Sequence, residues 1–238
     1  AKRNGLKPGA ALKVGQRLVL PGFDDEGEAD DARKRWGTPK HPGVVTLYRI
    51  WSKQTRHIRL LDSQGRARND ALTQLRDLMR PRESRMRKTP HPRLLRLISQ
   101  VSDHFGGRPL HVVSGYRLPG GYTRESSRHV AGEAIDFLIP GVPLTEVRDY
   151  CLHFDHSGCG YYPRSGFVHM DVRRKNAHWT DWSLPGQAPI LTEPKSGAAQ
   201  PPANGEKNAE PKDEADPTAD DDGLPALDDD LTDGPPAR

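Results

Sequence analysis

Two stretches decide how this chain folds: Ser127-Arg128-His129-Val130-Ala131-Gly132-Glu133-Ala134-Ile135-Asp136-Phe137-Leu138-Ile139 and, further on, Phe167-Val168-His169-Met170-Asp171-Val172. In the second, a period of two puts Val168, Met170 and Val172 on one face of a strand and turns His169 and Asp171 to the other. In the first, Ile135, Phe137 and Ile139 take the apolar face and Asp136 points away from it. Two strands therefore each offer a ligand-type side chain from behind a hydrophobic stripe. If they are neighbours, Asp136 and His169 converge, and His129, on the loop before the first strand, is the natural third member. Two histidines and one carboxylate leave a fourth tetrahedral position for water, the arrangement of a catalytic zinc; a structural site prefers four protein ligands. Unrelated placement of these three residues is the alternative that spacing alone leaves open.

Outward from these strands, the pattern alternates between strands and helices. Val45-Thr46-Leu47-Tyr48-Arg49-Ile50 and His57-Ile58-Arg59-Leu60-Leu61 predict a hairpin, and Leu110-His111-Val112-Val113 a further strand. Asp70 is the expected cap of a helix carrying Leu72, Leu75, Leu78 and Met79. A second helix opens at Pro92 with Leu94, Leu95, Ile98, Val101 and Phe105 on one face, and a third follows Pro143 with Leu144, Val147, Cys151 and Phe154. The expected class is α+β, a small antiparallel sheet flanked by helices.

The chain has 238 residues, with 22 prolines, 23 glycines and 34% hydrophobic residues, so a large part of it lies outside any core. Gly22 to Pro42, charged and rich in glycine and proline, reads as a linker over 23–44. Residues 194–238 read as a disordered acidic, proline-rich tail. From Lys195 onward there are 12 acidic and four basic residues, net −8, which leaves +12 on residues 1–194. A basic body suits an anionic partner such as nucleic acid, acidic lipid or bacterial cell wall. The positive charge is scattered and no nucleic-acid motif focuses it, so nucleic acid is not the expected partner. No apolar run is long enough to span a membrane. The chain opens at Ala1 without methionine, as expected of a processed product or a piece. Cys151 and Cys159 are too few for a disulfide framework and are expected to be small core residues, with pairing as the alternative.

The motif Ser127-x-His129-x-x-Gly132-x-Ala134-x-Asp136 follows Ser114-Gly115-Tyr116-Arg117. Beyond it come Gly158-Cys159-Gly160-Tyr161-Tyr162-Pro163, Phe167-Val168-His169-Met170-Asp171 and Trp179. Together they resemble the M15 metallopeptidases, most closely the DUF882 branch of murein endopeptidases, over roughly Val45 to Trp182. The resemblance implies a hedgehog/D,D-peptidase-like fold over 45–193, a Zn2+ ion held by His129, Asp136 and His169, and hydrolysis of peptide cross-links or stem peptides of peptidoglycan. It also implies a periplasmic or extracellular location at the bacterial wall. Arg117 is then expected to polarise the scissile carbonyl or hold a substrate carboxylate. Ser127 is expected to orient the metal-binding loop.

Where M15 dipeptidases and carboxypeptidases carry a glutamate three residues before the last histidine, this chain has Gly166. The best local candidate for the general base is therefore Asp171, two residues after His169 on the same strand face, with Glu133 behind it; orienting a ligand or a loop is the alternative role for Asp171. Asn4 to Pro21 looks like the second half of a LysM glycan-binding module, expected over 1–22. A wall-binding protein on the same fold, without catalysis, is the alternative function.

Overall fold

A computed structural model describes residues 26–121 and 123–192. Alternation along β1 (Val44–Arg49) sends Val45 and Leu47 into the core, and β2 (Gln54–Arg59) returns antiparallel with Val45 opposite Ile58. The chain then makes α2 (Asn69–Leu78), which buries Ala71, Leu75 and Leu78, and α3 (Pro92–His104), which starts on its proline. His91 caps α3 by accepting the Arg93 N–H at 3.1 Å. Asp70 was expected to cap α2, but Arg68 occupies that position; Asp70 lies in the first turn, bound to the Arg68 guanidinium at 2.9 Å.

A connection that includes two helices brings β3 (Leu110–Ser114) back parallel to β1. There follow α4 (Arg128–Ala131), β4 (Ala134–Leu138), α5 (Leu144–Cys151), β5 (Ser157–Tyr162), β6 (Phe167–Val172) and β7 (Ala177–Thr180). The seven strands form one mixed sheet in the order β2-β1-β3-β4-β6-β5-β7. The sheet is larger than expected and not purely antiparallel, because β1 pairs parallel with β3 and β5 parallel with β7. Both parallel pairs are non-local, so no turn signal in the sequence announces them.

One face of the sheet packs against α2, α3 and α5 in a single apolar core. Val45, Leu47, Val112, Ile135, Phe137, Val168 and Met170 meet Leu75, Leu95, Ile98, Val101 and Val147 there. Cys151 and Cys159 are both buried and unpaired. The stretch expected to be a linker contains α1 (Glu26–Trp36). Ala32 is buried, and Trp36 sits edge-on to Phe105 at 5.6 Å with the Arg108 guanidinium 5.2 Å from its ring. Two apolar anchors four residues apart suffice for this helix, too sparse a signal to emerge from so charged a segment. The LysM-like segment and the acidic tail lie outside the described residues.

Candidate metal centre

Strand register builds the site on the face away from the helices. Ser114 stands opposite Asp136, Asp136 opposite His169, His169 opposite Gly160, and Gly160 opposite Trp179, so one row crosses five strands. The next row on β4, β6 and β5 holds Ala134, Asp171 and Gly158. His129 approaches this surface from α4, a four-residue helix rather than the expected loop. Ser127 caps that helix, accepting the His129 N–H at 3.3 Å, which is the orienting bond expected of it. Gly132 ends α4 at φ 76°, a conformation open to glycine, and a Cβ there would also press on Thr89 O at 2.9 Å.

The three ligand-type residues meet, and all are buried. Asp136 Oδ1 lies 2.8 Å from His169 Nδ1 and 3.3 Å from His129 Nε2, and the two nitrogens are 3.1 Å apart. Tetrahedral zinc with bonds of about 2.0–2.2 Å needs ligand atoms roughly 3.3 Å apart, so the triangle fits such an ion with little adjustment. The hydrogen atoms agree. His129 Nδ1 faces the Gly115 carbonyl at 2.5 Å, and a carbonyl can only accept, so the proton is on Nδ1 and the Nε2 lone pair points into the triangle. His169 Nε2 likewise faces Asp171 Oδ2 at 2.9 Å, which leaves Nδ1 for the centre.

Three lone pairs aimed at one point repel each other unless a cation stands among them. Without metal, a proton takes that role. Burial lowers the His169 pKa, but its bonds to Asp136 and Asp171 overcome this and push it up to about 9. His129 is driven down to about 4 by burial and by the Arg117 charge. Burial opposes ionisation of Asp136 too, yet His129 and Arg117 hold its carboxyl well below the usual carboxylate range.

Arg117 and Asp171, the other expected site residues, both bond to members of the triangle. Arg117 donates from Nε to Ser114 Oγ at 2.6 Å and from Nη2 to Asp136 Oδ2, so it grips the carboxylate oxygen that is turned away from the triangle. Asp171 is fully buried; Arg173 Nε donates to its Oδ1 at 2.7 Å, and Arg173 Nη2 and His169 Nε2 meet its Oδ2. Burial raises its pKa, but Arg173 and His169 more than reverse this and hold it far below the usual range. This carboxylate lies on the far side of the His169 ring from the converging atoms, where it orients the imidazole. Glu133 is paired with Arg128 at 2.9 Å, and burial raises its carboxyl despite that partner. Gly166 sits in the β5–β6 turn at φ 81°.

Sequence reasoning missed Arg173 and Gly158. Extending the period of two from His169 and Asp171 by one step reaches Arg173. Gly158 follows only from register: a Cβ there would run into the Asp171 carboxylate and lie 2.6 Å from Arg173 Nε. Trp179 closes one side, its ring 5.2 Å from that of His169 and its Nε1–H donated to Tyr162 Oη at 2.9 Å.

The family described as "Peptidoglycan L,D-endopeptidase MepK", a branch of the M15 peptidases, matches residues 38–179. This chain belongs to that M15 family. It is similar to the peptidoglycan L,D-endopeptidase MepK of Escherichia coli K12, 30% identical over 152 residues that cover 60% of this chain and 82% of the relative. It is also similar to a probable peptidoglycan L,D-endopeptidase MepK of Haemophilus influenzae, 33% identical over 112 residues, or 42% of this chain and 60% of the relative. No solved structure matches. The matched span holds His129, Asp136, His169, Asp171 and Arg173 and ends on Trp179. No helix among the described residues is long and apolar enough to cross a membrane.

Proposed function

We propose that this protein is a zinc-dependent peptidase that hydrolyses peptide cross-links of bacterial peptidoglycan, at L,D bonds as in the relatives' names, and that it works outside the cytoplasm where that polymer lies. The observation that carries the reading is the buried triangle of His129 Nε2, Asp136 Oδ1 and His169 Nδ1, in a chain of the M15 family. Within it, 45–193 is the peptidase unit on a hedgehog/D,D-peptidase-like fold, 1–22 a partial glycan-binding segment, 23–44 the connection and 194–238 the acidic tail.

Zinc held by these residues supplies Lewis acidity towards a carbonyl and a water of lowered pKa. The chain's own groups prepare the ligands. The Gly115 carbonyl and Asp171 fix the tautomers of the two imidazoles, so both nitrogens meet the ion unprotonated. Arg117 and Ser114 hold Asp136 so that one oxygen faces the centre. Arg117 thus acts first as a positioning residue, and Asp171, backed by Arg173, positions His169. Trp179 packs its ring against that of His169.

The direct test incubates zinc-loaded and chelator-stripped protein with cross-linked peptidoglycan and identifies released muropeptides by mass spectrometry. Zinc-dependent loss of L,D-linked dimers is expected. Binding to the wall without cleavage by zinc-loaded protein would sink the peptidase reading in favour of a wall-binding protein. Asp171→Asn separates base from positioning residue. A lost base leaves zinc affinity intact, whereas a lost positioning bond weakens zinc by about 10–100-fold, with turnover recovering as zinc is raised.

A further inference from the structure

The loop between α2 and α3 runs Arg80-Pro81-Arg82-Glu83-Ser84-Arg85-Met86-Arg87-Lys88, five cations against one acid. Arg82, Arg85, Arg87 and Lys88 are exposed, and Met86 between them is 57% exposed. A run of surface charge is ordinarily a solvated face. This one is fastened to the metal centre at both ends. Tyr116 N–H donates to the Met79 carbonyl at 2.9 Å, next to the Gly115 carbonyl that holds His129. His91 N–H donates to the Gly132 carbonyl at 2.9 Å, and Gly132 ends the helix that carries His129. The Lys88 stem lies against Gly132, and Arg80 is anchored with its guanidinium 4.7 Å from the Trp51 ring. Arg124, also exposed, belongs to the loop that leads into α4. Arg87 is paired with Asp77 at 2.8 Å, an ion pair at the loop's edge. Arg82 also has a partner, yet the loop keeps a surplus of like charges that repel one another, and an arriving anion relieves that repulsion.

We infer that this loop is a docking rim for peptides bearing free carboxylates, and that it makes the protein prefer stem peptides whose side-chain and terminal carboxyls are free over those in which they are amidated. Guanidinium groups bind carboxylates through paired charge-assisted hydrogen bonds, and an amide forfeits both the charge and the second acceptor. Only the identity of the ligand rests on the peptidoglycan reading; the rim itself rests on geometry and charge.

The test measures sedimentation of the full chain with peptidoglycan, native or chemically amidated at its carboxyls, at about 0.05 M salt, where exposed charges are least screened. It compares wild type, the rim variant R82Q/R85Q/K88Q and the control R56Q/R96Q/R174Q, which removes the same charge elsewhere. Wild type and control are expected to bind native material about tenfold more tightly than amidated, and the rim variant to bind both alike. No preference in wild type, or equal loss in control and rim variant, overturns the inference. So does duplex DNA bound as tightly as native wall at about 0.15 M salt, which would make this a phosphate-binding face. A preference carried by the rim without any hydrolysis would leave the rim standing and remove the peptidase.

Discussion

The two faces of the sheet are equally buried around β6, where all six residues are enclosed, yet they are held by opposite means. On the helix side Val168, Met170 and Val172 are surrounded by aliphatic side chains, an arrangement that is non-directional and tolerant of shape-conserving change. On the other side His169 and Asp171 are buried with Asp136 and Arg173, with Arg117 half-buried at the edge, and each charge is affordable only because a specific partner stands within hydrogen-bond distance. Adjacent residues on one strand thus obey different rules. The first face holds the domain together, while the second holds three atoms in a triangle at a cost in desolvation.

The largest break should come from the triangle itself. With zinc held as proposed, His169→Ala should lower both zinc content and wall hydrolysis by more than about 100-fold, read by metal analysis and muropeptide release, with the circular dichroism of the fold retained. Gly158→Ala is next. The added methyl meets Asp171 and Arg173, so we expect a loss of roughly 2–3 kcal/mol in denaturant unfolding together with weaker zinc binding in a competition titration. Leu95→Ala on the helix face should match or exceed that stability loss, at about 2–5 kcal/mol, but leave zinc affinity within about twofold. If it weakened zinc as strongly as Gly158→Ala, the division between the faces would fail. The smallest effect belongs to Cys159→Val, one residue from Gly158 but on the opposite face. A change of under about 1.5 kcal/mol and unaltered zinc binding are expected there.

The same division explains what could be read without coordinates. Apolar periodicity located β4, β6, α3 and α5 and turned Asp136, His169 and Asp171 to a common side, because period alone fixes which way a side chain points. It did not supply the two parallel pairings or the register that sets Gly158 against Asp171, since these depend on partners distant along the chain. It left Asp171 between general base and orienting residue, a choice that turns on the partners of its oxygens, Arg173 and His169. Helix α1 escaped for a related reason, as its two anchors matter only once Phe105 is there to receive Trp36.

One consequence concerns the order in which the domain is completed. Strand β7 pairs with β5 after the chain has passed the end of the β5–β6 hairpin, and it carries Trp179, which lies beside His169. During synthesis His129, Asp136 and His169 all leave the ribosome before this indole. A chain ended at Val172 would lack β7, and with it both the partner of the β5 edge and the ring beside His169. Enclosure of the centre therefore depends on β7, the most C-terminal strand among the described residues, so that a product cut before it keeps His129, Asp136 and His169 in its sequence but loses the indole beside them.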